Sequence, residues 1–382
     1  MKKTIRRGAA LALTLTLLCA CLLAGCQKQE SVPETLPTVK GVSILHEPEF
    51  GGVYITKTIE EFNALGFAYG DSVDVAFSNG YTLEDLPYYN GYYVNPGDPL
   101  LVAYPGYDYV KAAINLTDDL WTVAGLKDGD TATVTLHTRG ACLDIQNARN
   151  IQYQDEREKY DSDEMFANFR SIRAGELAAD RLYRSASPCD NQHNRASFTD
   201  ALMKQAGVQT ILNLADDEEK LQGYLAREDF ASPTFKELLD LGQVLPLALN
   251  ANYGGAQFRE KLAAGLVQMT ALPAPYLVHC TEGKDRTGFV CLLLEALCGA
   301  TYEEMKADYM LTYANYYRID QTSDPDRYKT IVESVFNPMV AILIGDADPA
   351  KADLAAGARE YLLSGGMTEA QITALRQGLT GK

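Results

Sequence analysis

With 382 residues, 47% of them apolar and 22% charged, the chain has material for more than one folded core and is not a disordered tail. Acidic residues outnumber basic ones 51 to 34, and a formal charge of −17 repels nucleic acid and anionic lipid at long range, so neither is expected as a bulk partner. The eight cysteines follow no metal-ligand spacing and are too sparse for a disulfide framework, so neither a metal nor a cofactor is expected.

The first residues read as a processing signal. Lys2, Lys3, Arg6 and Arg7 form a basic start, Ala9 to Leu23 an apolar run, and Leu23-Ala24-Gly25-Cys26 has the form of a bacterial lipobox. That form implies cleavage after residue 25, acylation of Cys26, and a body anchored by lipid on the outer face of the cell membrane. An uncleaved membrane anchor is the alternative, and the run is at the short edge of a span. Residues 26–40, with Pro33 and Pro37, read as a tether.

From 41 to about 150 the chain shows short β-rich pieces cut by turn signals: Asn79-Gly80, Asn90-Gly91, Asn95-Pro96-Gly97, Pro105-Gly106 and Asp128-Gly129. Thr131 to Leu136 alternates as a half-exposed strand should. A small all-β barrel or sandwich follows. Tyr88, Tyr89, Tyr92, Tyr93, Tyr104, Tyr107 and Tyr109 read first as ordinary strand tyrosines and second as a binding face for sugar or peptide.

From 151 to 382 strands and helices alternate, which predicts an α/β domain with a mostly parallel central sheet. Val208–Leu214 and Gly242–Leu249 read as strands, and Phe198–Gln205, Ala256–Thr270, Phe289–Leu297 and Tyr302–Tyr317 as helices, with a capping box from Thr301 to Glu304. Between an apolar strand (Tyr276 to Val278) and the helix at Phe289 lies His279-Cys280-Thr281-Glu282-Gly283-Lys284-Asp285-Arg286-Thr287-Gly288. A tight polar loop opening a helix turns its amides inward, and the helix dipole adds positive potential, so the loop is an anion trap with a thiol at its floor. Arg286 adds a planar fork matched to two phosphate oxygens. The same field stabilises a thiolate and makes Cys280 the candidate nucleophile.

This H-C-x5-R-T-G loop resembles the active-site loop of the cysteine-dependent phosphatases. The resemblance implies that Cys280 forms a phosphocysteine, that residues 281–287 bind phosphate with Arg286, that Thr287 stabilises the departing thiolate, and that His279 orients the loop. Asn168-Phe169-Arg170, Arg181-Leu182-Tyr183-Arg184-Ser185, Asp308-Tyr309-Met310 and the tail from Glu360 to Leu375 are similar to segments of the secreted bacterial phosphatases that act on phosphotyrosine and phosphoinositides. That implies supporting positions at Asn168, Arg170, Arg184 and Asp308, and places Cys189 near the site. Asp85-Leu86-Pro87, Gly97 to Leu101 and Ala113-Ile114-Asn115 resemble the C-terminal barrel of the adenosylmethionine hydrolases and halogenases, which implies only the barrel shape.

Two departures bear on mechanism: Ser171 and Asn213-Leu214-Ala215 stand where that phosphatase family has Asp and D-L-R. Asn213 cannot donate a proton to a leaving oxygen. Asp285 is the first candidate for general acid and Asp216 or Asp217 the second. Lys284 resembles the extra lysine of tensin-type phosphoinositide phosphatases, whereas Glu282 repels a second phosphate unless it pairs with Lys284. Phosphotyrosine proteins are therefore the first expected substrate and inositol phosphates or phosphoinositides the second. A catalytically idle phosphate-binding scaffold is the reading from another class.

Overall fold

The computed structural model describes residues 36–382, so Cys26, the signal segment and most of the tether lie outside the described residues. Two β-systems follow one another along the chain. The first is a closed barrel of seven strands: β1 (Thr38–His46), β2 (Val53–Ile55), β3 (Ser72–Phe77), β4 (Thr82–Tyr89), β5 (Pro99–Val102), β6 (Val110–Ile114) and β7 (Thr131–Thr138). They close in the order β1-β2-β6-β5-β4-β3-β7. Closure leaves no unpaired sheet edge. Along β7 the buried Ala132, Val134 and Leu136 alternate with threonines, the period-two pattern of a wall with one packed face.

Strand β1 begins inside the stretch that reads as tether. Tyr88 and Tyr89 are buried barrel residues, and Tyr88 donates its hydroxyl to Asn63 at 2.8 Å, so these two serve packing. The barrel region also carries helices that no long apolar period announces. Ile59–Ala64 is held by a capping box between Thr58 and Glu61. Leu143–Arg149 leads out of the barrel.

The second system is a five-stranded sheet of β8 (Arg170–Ser171), β9 (Leu182–Ser185), β10 (Thr210–Asn213), β11 (Val244–Pro246) and β12 (Tyr276–His279), in the order β11-β10-β12-β9-β8. All its pairings are parallel except β8 with β9. The helices Ala256–Thr270 and Tyr302–Tyr317 and the Thr301–Glu304 capping box stand where the sequence places them. Strand β11 is shorter than predicted. After Pro246 the chain leaves the ladder, Ala248 takes a left-handed φ of 46°, and the amides of Leu247, Ala248 and Leu249 pair with the carbonyls of Asn213, Asp216 and Leu214. The central helix begins at Asp285, one turn before its apolar run, and everything from Thr287 to Leu297 is buried. A helix apolar on all sides belongs inside, here against the sheet. The register pairs His279 with Asn213 on one side and Ser185 on the other, so three parallel strands end level at the edge where the Cys280 loop begins.

Candidate active site

Strand β12 delivers Cys280 to that edge. The residues 281–284 bend, and the helix Asp285–Leu297 starts with Lys284 as an N-cap that makes no side-chain capping bond. The backbone amides from Thr281 to Arg286 donate to no protein acceptor among the described residues. Orphan amides at a helix start, carrying the positive end of the dipole, are donors for an anion.

Gly283 makes the tight bend possible. Its φ is 68°, and a Cβ there would drive into the Ser185 carbonyl at the end of β9. Its own carbonyl is turned outward by two donors, Arg184 Nη2 at 2.8 Å and Asn168 Nδ2 at 3.2 Å. Asn168 is itself left-handed, at φ 50°, and its Oδ1 accepts from Arg170 Nη1 at 2.6 Å. Asp308 gathers both arginines, accepting from Arg170 Nε at 2.7 Å and Arg184 Nη1 at 2.5 Å. The structure thus brings Asn168, Arg170, Arg184 and Asp308 together behind the loop.

Burial would raise the Asp308 carboxyl, but the two guanidiniums outweigh it and hold the group well below the usual range. Glu295, buried in the helix beside this cluster, is pushed the other way, up from the usual carboxylate range, by burial and then by Asp308. A carboxyl depressed in the folded state stabilises fully above its unfolded value of about 4, and the contribution is lost only as pH falls through the lower folded value. Asp308→Asn removes it at neutral pH and strands two buried guanidiniums. The expected loss is about 3–5 kcal/mol in a urea titration. A loss under about 0.5 kcal/mol, the level of an ordinary surface change, would show that the cluster is not what holds Gly283 in place.

His279 is fully buried, and burial pulls its imidazole down to about 4, so the ring is neutral and its Nδ1–H donates to the Cys280 carbonyl at 3.1 Å. Thr287 is buried with its hydroxyl unpartnered among the described residues. Arg286 Nη1 donates to the Leu249 carbonyl at 3.1 Å and Nη2 to Thr281 Oγ1 at 3.4 Å.

The charged residues of the loop neutralise one another. Lys284 Nζ lies 3.2 Å from Glu282 Oε2 and 3.7 Å from Asp285 Oδ2. Burial would raise the Glu282 carboxyl, but Lys284 and the Tyr153 hydroxyl, which donates at 2.7 Å, hold it below the usual range. Tyr316 donates to the Glu282 carbonyl at 2.8 Å. Glu282 therefore pairs with Lys284. Tyr153 and Tyr316 were invisible as site residues in the sequence. Tyr153 lies in the irregular run between the two folded units, and only the three-dimensional path of that run lays it against the loop.

The candidate acids separate. Asp285 sits at the loop's helix start with its side chain half exposed. Asp217 is exposed and caps the helix Glu218–Leu225 through the Lys220 amide at 2.9 Å. Asp216 is buried and accepts from Asn213 Nδ2 at 3.1 Å and Tyr224 at 3.3 Å. Asn213 in turn accepts from the Ala215 and Asp216 amides, a turn-forming role its side chain fills without a charge. Cys189 is buried among Leu202, Met203 and Leu221, and its thiol is pushed well up by burial; the segment before it runs along the loop, with the Ser187 amide donating to the Thr281 carbonyl at 3.0 Å.

A Cupriavidus necator protein assigned by name to the tyrosine-protein phosphatases is 36% identical over 72 residues, which is 19% of this chain; the match spans about a quarter (26%) of that relative's length. Among solved structures, the core catalytic domain of the PP-IP phosphatase SIW14 from S. cerevisiae is 20% identical with a TM-score of 0.26, covering 45% of this chain and 94% of that one. TpbA of P. aeruginosa is 18% identical with a TM-score of 0.24, covering 42% and 84%. The model of the tyrosine phosphatase family matches residues 164–381, more than half of the chain, and the protein belongs to that family.

Proposed function

We propose that the protein is a phosphoric monoester hydrolase that works through a phosphocysteine on Cys280, with phosphotyrosine proteins as its first substrate class. The observation that carries this reading is the run of unpaired amides from Thr281 to Arg286 around a thiol at a strand end. In the first step the Cys280 thiolate attacks phosphorus, the S–P bond forms and the ester P–O bond breaks. The leaving oxygen takes a proton from Asp285. The loop amides and the Arg286 guanidinium hold the equatorial oxygens as charge gathers on them. In the second step water attacks phosphorus, Asp285 takes a proton from it, the S–P bond breaks, and the Thr287 hydroxyl donates to the departing thiolate.

Inositol phosphates are the second substrate reading, and the Glu282–Lys284 pair favours it, because a paired carboxylate no longer repels a second phosphate. The lipobox-like segment ending at Cys26 supports the further proposal that this chemistry works on the outer face of the cell membrane. Release of phosphate from p-nitrophenyl phosphate by the purified chain tests the enzyme against an idle phosphate-binding scaffold, which would bind phosphate and release none.

Asp285→Asn separates the acid from a loop-shaping carboxylate. Alkyl phosphates, whose alkoxide must be protonated as it leaves, should slow by about 100-fold or more, and p-nitrophenyl phosphate far less, because p-nitrophenolate departs unaided. Equal slowing of both would place the damage on phosphate positioning. Asp216→Asn and Asp217→Asn run alongside, and leaving-group-dependent loss in one of them instead would move the assignment there.

A further inference from the structure

Lys284 is the one basic residue of the Cys280 loop besides Arg286, and in a loop of this kind a free ammonium would meet a second phosphate of the ligand. The structure gives it other neighbours. Its Nζ lies 3.2 Å from Glu282 Oε2 and 3.7 Å from Asp285 Oδ2, over the ring of Tyr153 at 5.8 Å and over the ring of Tyr317 at 5.6 Å. The two rings meet edge to face, with centroids 5.9 Å apart. Two carboxylates and two aromatic rings thus enclose the ammonium, and the Lys284 side chain is only 11% exposed. Burial would pull the ammonium down, but Asp285 and Glu282 hold it well above its usual value, so the charge is kept inside the cage.

One wall of this cage lies outside the matched family segment 164–381. Tyr153 belongs to the irregular run that follows the helix Leu143–Arg149. Its hydroxyl donates to Glu282 Oε1 at 2.7 Å, so the carboxylate that holds Lys284 is itself held, one oxygen by Tyr153 and the other by the lysine. The run is pinned at the neighbouring residues as well. The Tyr153 ring stacks on His193 with centroids 4.7 Å apart, His193 Nδ1 lies 3.0 Å from Asp155 Oδ1, and Arg195 Nη2 donates to the Gln154 carbonyl at 2.9 Å. Residues 153, 154 and 155 are therefore each anchored to the α/β domain, beside the loop that carries Cys280.

The cage bears on substrate choice. A Lys–Glu pair open to water is worth little, because both partners are hydrated and screened. A phosphate group, with nearly twice the charge of a carboxylate, draws a lysine out of such a pair. Shielded between Tyr153 and Tyr317, with Glu282 fixed by the Tyr153 hydroxyl, the pair stays closed, and the loop offers an incoming ester only its amides and Arg286.

We infer that Tyr153 is a specificity-determining residue that locks Lys284 onto Glu282, withholds the second cation of the loop from the ligand, and sets the site for singly phosphorylated substrates. This rests on the phosphocysteine reading above and decides between its two substrate classes. Pairing removes the repulsion of a second phosphate, but caging also removes the attraction, so phosphotyrosine proteins are favoured over inositol polyphosphates. Tyr153 acts through Glu282 and Lys284 and is a positioning residue.

The test uses the full chain, with inositol hexakisphosphate as the polyanion and inorganic vanadate as the single anion. Both are titrated calorimetrically into the wild type, Tyr153→Ala, Tyr153→Phe, Lys284→Met and the double variant Tyr153→Ala with Lys284→Met. A charge-assisted contact regained corresponds to about 10-fold or more in affinity. Relative to vanadate, Tyr153→Ala should tighten inositol hexakisphosphate by that factor. Tyr153→Phe, which keeps the ring and loses only the hydroxyl, should tighten it by about threefold or more. The gain should vanish when the double variant is compared with Lys284→Met, which a merely structural role for Tyr153 does not require. Equal shifts of both probes in Tyr153→Phe would overturn the lock, even where Tyr153→Ala does not fold. A gain that survives Lys284→Met would overturn it too. So would a loss of about 10-fold confined to inositol hexakisphosphate in Lys284→Met, which would put Lys284 on a second phosphate already. Turnover of p-nitrophenyl phosphate is read separately: the expected binding shifts in a chain that releases no phosphate would sink the phosphocysteine reading and leave the lock standing, whereas turnover without the shifts would sink the lock alone.

Discussion

Cys280→Ser is expected to lose turnover of p-nitrophenyl phosphate by on the order of ten-thousandfold or more while still binding vanadate. The two outcomes come from different parts of the loop. Turnover needs a sulfur anion, and a serine hydroxyl in the same place has neither the acidity nor the polarisability to replace it. Binding needs the amides from Thr281 to Arg286, which are set by Gly283 against Ser185 and by Arg184 and Asn168 on the Gly283 carbonyl. None of those contacts uses the thiol. The variant should therefore unfold at the wild-type urea midpoint and show vanadate affinity close to wild type. Measurable turnover above a reagent blank would end the covalent mechanism. Loss of vanadate binding in a folded variant would instead make the thiol part of the anion cradle.

The shape of the Cys280 loop was legible because it is set locally. Five fixed positions in ten residues state a strand end, a bend and a helix start, and the fold supplies these with only the helix start moved to Asp285. The network behind the loop was legible as residue types only: nothing in the spacing of Asn168, Arg184 and Asp308 shows that two of them grip one carbonyl and the third binds both arginines. Strand β11 was overread because Leu247 and Leu249 look like strand residues, whereas their amides pair with the carbonyls of Asn213, at the end of β10, and Leu214, just past it, and bring the Leu249 carbonyl to Arg286. Tyr153 could not be read at all. Tyr153 sits in an irregular stretch with no periodicity, and its place at the loop comes with the packing of Ile151 beside it against the α/β core and the hydroxyl bond to Glu282.

Arg286→Lys is expected to cut kcat by about a hundredfold to a thousandfold, the scale of losing one preorganised donor to a developing anion. The charge survives this substitution, so the loss measures geometry. A guanidinium presents two parallel N–H bonds in a plane, matched to two oxygens of a phosphoryl group as it flattens in the transition state, and an ammonium is a point donor. The structure adds a second reason. Arg286 is held in plane by Nη1 on the Leu249 carbonyl at 3.1 Å and by Nη2 on Thr281 Oγ1 at 3.4 Å, so the fork is aimed before substrate arrives. A lysine can keep one of these anchors and must then turn away from the other or from the phosphate. Because the mismatch grows as the phosphoryl group flattens, kcat should fall much further than KM rises. A variant within about threefold of the wild-type kcat would show that Arg286 serves only to tie the segment after β11 to the loop, and the equatorial oxygens would then have to be held by the amides alone.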